Sequence, residues 1–195
     1  MSIKESKKLS RGFTAIELVI SIFVLSMGLI AIFNAFSVII ILTADQADRL
    51  TATYLAQEGM EIIRNIRDTN WVNHNKNPKP LWFENLDLED CRYGCQADYS
   101  SSRLLRAHEY LFLDSTAGFY NYSFLGNQTR FKRKILIEKL DEVPTAIKII
   151  TEVSWDQKAT IFSEGKSADN CETTLNCIRA ESTLYDWFGY TLPSI

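Results

Sequence analysis

Histidine is scarce in this 195-residue chain, with His74 and His108 the only two. Neither stands in a recognisable nucleophile motif, and no glycine-rich phosphate loop occurs among the eight glycines. Both histidines read as ordinary surface residues. The sequence therefore points away from an enzyme and calls for no cofactor. Proline is equally sparse: there are four, none before Pro78, so nothing breaks a helix in the first 77 residues. Internal repeats and low-complexity tracts are lacking too.

Charge is missing altogether from residues 18 to 42, LVISIFVLSMGLIAIFNAFSVIIIL. As a helix this run extends ~37 Å, enough to cross a ~30 Å hydrocarbon core. A secretory signal would be shorter and would end at a small-residue cleavage site, which residues 43 to 47 imitate poorly. Ahead of the run, Lys4, Lys7, Lys8 and Arg11 oppose only Glu5, a net +3, so with the whole chain at −3 the residues after the leader carry −6. The basic end is expected to stay cytoplasmic. The mildly acidic remainder has no general attraction for nucleic acid.

The four cysteines lie beyond the run as two local pairs, Cys91 with Cys95 and Cys171 with Cys177. Oxidised local pairs are the expected arrangement for an exported domain. A zinc site is the second reading, against which the spacings are looser than the usual knuckle, and free thiols are the third.

Past residue 42 the pattern changes without a break. Ala47, Leu50, Tyr54, Leu55, Ile62 and Ile66 recur every three to four residues, the mark of an amphipathic helix, with Gly59 its one weak point. One helix is predicted from Phe13 to about Arg67, stopping near residues 68 to 70. Residues 70 to 117 read as an irregular connection with a short helix around 101 to 108. Strand-like alternation follows at 118 to 126, 130 to 140, 146 to 156, 158 to 164 and 178 to 188, with Gly126-Asn127 and Val143-Pro144 as turns between antiparallel neighbours. The expected fold class is α+β: a long N-terminal helix, half membrane-crossing and half amphipathic, packed on a C-terminal antiparallel sheet. The segments are a leader at 1–12, the membrane half at 13–43, the amphipathic half at 44–69, the connection with the first cysteine pair at 70–117 and the sheet with the second at 118–195.

One carboxylate, Glu17, stands at the head of the apolar run. A charge in a membrane helix costs ~2.5 to 3.5 kcal/mol near the centre and less near an edge, so it calls for a partner or a purpose; the plain alternative is a side chain that reaches the headgroups. Its surroundings decide between them. A basic leader ends in Gly12, then come Phe13, Thr14, Ala15, Ile16, Glu17 and the uncharged span. With this GFT-x-x-E constellation the sequence resembles the type IV pilin-like family, the precursors of pili and of type II secretion pseudopilins. The resemblance implies cleavage after Gly12 by a prepilin peptidase, N-methylation of Phe13, and Glu17 as an assembly residue that meets the Phe13 amine of a neighbour. The implied partners are that peptidase, other pilins and pseudopilins, an inner-membrane assembly platform and membrane lipid. The implied location is the inner membrane with the head outside, then a surface or periplasmic filament. Leu55-Ala56-Gln57-Glu58-Gly59-Met60-Glu61 resembles a pattern of minor pilins and pseudopilins, although a helix face under a sheet explains it equally well. Many major pilins carry a proline midway through the membrane half; here Asn34 lies near that place, which favours a minor subunit.

Other patches have duller readings. Arg130, Lys132 and Lys134 alternate on one strand and could capture DNA, though such a stripe is more often a solvated face. Glu84, Asp87, Glu89 and Asp90 could hold calcium but match no EF-hand loop. Trp71, Trp82, Trp155 and Trp187 are expected in a core or interface. Asn121 and Asn127 begin chance-level glycosylation sequons. The competing classes are a single-span sensor or binding protein that keeps its leader, and a secreted hydrolase beginning after about Ala44.

Overall fold

The computed structural model describes residues 12–73, 81–86, 88–106, 109–140, 145–156, 171 and 176–186. Among these, helix α1 runs Ala15–Val72, which the proline-free stretch permits, and ends five residues beyond the expected Arg67. The strands are β1 (Tyr110–Leu113), β2 (Tyr120–Asn121), β3 (Asn127–Lys139), β4 (Ala146–Trp155) and β5 (Cys177–Tyr185), with a 3-10 turn at Asp90–Arg92. The fold class is α+β, as expected. The chain divides into two compact units, Met1–Gln46 and Ala47–Ile195.

In the first unit, every described residue from Gly12 to Ala44 is exposed. α1 is the one described helix long and apolar enough to cross a membrane. Its hydroxyls are satisfied locally: Ser21 donates to the Glu17 carbonyl, Ser26 to Phe23, Ser37 to Phe33 and Thr43 to Ile39, removing donors that lipid could not satisfy.

In the second unit the helix turns one face to an antiparallel sheet of order β2-β1-β3-β4-β5. The buried helix positions Ala52, Leu55, Ala56, Ile62, Ile63 and Ile66 follow the three-to-four spacing. The β3–β4 register places Phe131 against Trp155, Arg133 against Val153, Ile135 against Thr151 and Ile137 against Ile149, so these residues share the helix-facing side. Two apolar clusters result. One gathers Leu55, Leu111, Phe131, Val153 and Trp155; the other gathers Ile63, Ile66, Trp82, Leu86, Ile135 and Ile137.

Between them α1 approaches the sheet closely at Gly59. A Cβ there would lie 2.7 Å from Thr151 Cγ2 and 3.1 Å from Arg133 Cδ. The glycine that weakens the helix as a sequence feature is thus what admits Thr151. Gly59→Ala gains about 1 kcal/mol of helix propensity but overpacks a β-branched neighbour whose hydroxyl is held by Met60 Sδ at 3.2 Å, at a cost of roughly 1 to 3 kcal/mol. We expect a net loss of about 1 kcal/mol in a urea titration, recovered when Thr151→Ser removes the methyl; an unchanged midpoint in the single variant contradicts the close approach.

Several boundaries depart from expectation. The sheet begins at Tyr110, inside the stretch read as irregular, because β1 is a four-residue apolar run with no alternation. The expected strand at 118 to 126 shrinks to Tyr120–Asn121 and pairs with β1, not β3. Residues 123 to 126 form a turn, and a Cβ on Gly126 would meet the Leu113 carbonyl at 2.8 Å. The short helix expected at 101 to 108 is not formed over its described residues 101–106, where Gln96 and Leu105 instead exchange backbone hydrogen bonds. The predicted strand at 158 to 164 lies outside the described residues.

Both cysteine pairs form disulfides, Cys91–Cys95 and Cys171–Cys177, and no cysteine is free. The zinc and free-thiol readings fall with that. The first bridge is anchored by Cys95, whose N–H and carbonyl both bond Ile135 at 2.8 Å, fixing the connection along the C-terminal part of β3.

Candidate assembly site at the helix N-terminus

The signature residues form the start of α1. Thr14 precedes the first helical residue, Ala15, and Glu17 is the third. The Glu17 N–H donates to Thr14 Oγ1 at 3.4 Å, while the Thr14 hydroxyl donates to Glu17 Oε2 at 3.5 Å. Both bonds are long; the first is the N-cap half of a capping box, while the second joins the two side chains and leaves the reciprocal bond to the Thr14 N–H unmade. A carboxylate in the first turn also faces the positive end of the helix dipole. Thr14-x-x-Glu17 therefore sets the helix start, a role that the sequence reading assigned to neither residue although the pattern was visible.

Phe13 is 73% exposed. At Gly12 a Cβ would find nothing within 4 Å among the described residues. This chain's own described structure thus makes no demand for glycine at that position. Gly59, Gly94 and Gly126, by contrast, each meet a neighbour within 3.0 Å. A requirement for glycine at Gly12 has to come from something outside the described chain, such as a catalyst that must approach the peptide bond.

The Leu-Ala-x-x-x-Met-Glu stretch divides by role. Leu55, Ala56 and Gly59 pack on the sheet, Glu61 pairs with Arg64 on the helix surface, and Glu58 reaches Arg133 at 3.2 Å. Arg133 is fully buried, the residue that sequence reasoning missed. Its two terminal nitrogens donate to the Leu55 carbonyl at 3.1 Å and the Ala97 carbonyl at 2.6 Å, joining helix, β3 and the loop after the first disulfide. The same loop is held at Asp98, which accepts from Ser100, Ser101 and the Tyr122 N–H. Burial pushes that carboxyl up, but these hydrogen bonds together hold it below the usual aspartate value.

The basic stripe is engaged within the head. Arg130 pairs with Asp48 at 2.6 Å, Lys134 lies 3.8 Å from Glu152, and Lys132 sits over the Tyr110 ring. Of the acidic cluster, Glu84, Glu89 and Asp90 are exposed, Asp90 lies 3.6 Å from Arg106, and Asp87 is outside the described residues. No group of three or more potential metal ligands converges among the described residues. Trp82 and Trp155 are core residues of the two separate clusters and Trp71 packs against the one that holds Trp82; Asn121 is buried and Asn127 exposed. His74, His108 and Trp187 lie outside the described residues. No family model matches the chain, and no curated protein or solved structure matches it.

Proposed function

We propose that the chain is a pilin-like filament subunit rather than an enzyme, made as a membrane-inserted precursor, cut after Gly12 by a prepilin peptidase and methylated on Phe13. The observation that carries this reading is the exposed Gly12-Phe13 junction, where nothing in the described chain needs a glycine, directly ahead of a capped helix long and apolar enough to span a membrane. The basic leader favours a cytoplasmic N-terminus with the head on the far side. Once in the filament, Glu17 meets the cationic Phe13 amine of the next subunit. In hydrocarbon that attraction is weakly screened and the unpaired state is disfavoured, so the pair sets the register between otherwise interchangeable apolar helices. A minor rather than an abundant subunit is favoured because no proline loosens the membrane half. Pilus, secretion and DNA-uptake machines would all accept this geometry. DNA capture by the head itself draws little support from the stripe, since its three cations already face an acid or a ring.

The test is Gly12→Leu. Open space around Gly12 means the variant should fold unchanged, while cleavage by the peptidase drops roughly tenfold or more, a barrier rise of ~1.4 kcal/mol or greater. Pulse-labelling of precursor and mature forms reads this directly. Normal processing of the leucine variant would remove the cleavage reading of that glycine.

A further inference from the structure

Asn34 is the one polar residue of the uncharged run that its own helix leaves unsatisfied. Ser21, Ser26 and Ser37 each return their hydroxyl proton to a carbonyl of the preceding turn. Asn34 is exposed and its side chain makes no hydrogen bond among the described residues. A carboxamide has two donors and an acceptor oxygen to satisfy. Asn34 lies eight residues from the Leu42 end of the run, about 12 Å along a helix, where half a hydrocarbon core is roughly 15 Å. Its short side chain cannot snorkel out as lysine or arginine does. Lipid offers no partner, and a second helix can supply one.

We infer that Asn34 pairs two copies of this chain within the bilayer through a reciprocal carboxamide hydrogen bond. Identical chains with the same basic leader insert in the same direction, which brings both Asn34 residues to one depth, and a two-fold pair sets each opposite itself. A carboxamide is both donor and acceptor, so asparagine is its own complement. Ala31, one turn before, and Ala35, the next residue, are small enough for a second backbone to approach. A single buried asparagine also fixes register at the depth where it sits. The inference rests on the membrane-spanning part of the proposed function and on neither cleavage nor filament assembly.

The experiment uses the full, uncut chain in phosphatidylcholine vesicles, with donor- and acceptor-labelled copies mixed over a range of protein-to-lipid ratios. Flotation first establishes insertion, and energy transfer then gives the association constant. Wild type is expected to associate, Asn34→Leu to associate about tenfold more weakly, Asn34→Gln to stay near wild type, and Ser37→Ala to leave association unchanged. Failure to insert, no energy transfer by wild type, transfer only when a different membrane helix is added, or a leucine variant as tightly associated as wild type would each overturn the pairing. Cleavage after Gly12 is scored separately in the host, so either result stands without the other.

Discussion

Glu17→Val is expected to leave cleavage after Gly12 intact and to lower incorporation into filaments by about thirtyfold, equivalent to ~2 kcal/mol of lost pairing. Valine suits the lipid better than a carboxylate does, so insertion of the precursor should not suffer. What disappears is the counter-charge for the neighbour's amine, which would then sit unpaired among apolar helices. The capping geometry makes a second variant informative. Glu17→Gln can still accept from the Thr14 hydroxyl through its side-chain oxygen, yet it carries no charge. If the Glu17 charge assembles the filament, glutamine fails like valine; if Glu17 matters only as part of the Thr14 cap, glutamine incorporates normally. Filament yield at matched levels of mature subunit separates these outcomes.

The head should depend as strongly on Arg133. Replacing it by alanine strands the Glu58 carboxylate and the carbonyls of Leu55 and Ala97, and opens a void between the two apolar clusters. Arg133 is fully buried but Glu58 is a third exposed and can turn to water, so the loss comes mainly from the void and the two carbonyls left without its donors, about 2 to 4 kcal/mol, a large share of the roughly 5 to 15 kcal/mol that holds a domain folded. Urea unfolding of the detergent-solubilised chain should show a correspondingly lowered midpoint. Combining Arg133→Met with Glu58→Gln should recover much of the loss, because the stem is replaced and no uncompensated charge remains. An Arg133→Ala variant within about 1 kcal/mol of wild type would show that the guanidinium does not join the layers.

Much of this arrangement is legible in the residues, for identifiable reasons. The helix is announced by missing prolines and an apolar face of constant spacing, and β3 and β4 by alternation rich in β-branched residues. Arg133 was within reach as well: in RFKRKILI it shares parity with Phe131, Ile135 and Ile137, so a strand that buries those three buries the arginine too. Its charge disguises it among the neighbouring cations Arg130, Lys132 and Lys134. The Thr14-x-x-Glu17 cap was hidden in the same way, inside a motif already read for another purpose. β1 was not legible, because YLFL has neither length nor period to distinguish it from any buried turn, and its place between β2 and β3 is set by long-range pairing. Nor could Gly59 be read from local propensity, which registers what a glycine costs a helix and not what lies across from it.

The most direct measurement is the mass of the N-terminal peptide of the protein recovered from its native membranes and extracellular filaments. The filament reading predicts a polypeptide that begins at Phe13 and bears one methyl group on its amine. A chain that still begins at Met1, or one cut after about Ala44, would contradict it and leave a membrane-anchored or secreted head in its place.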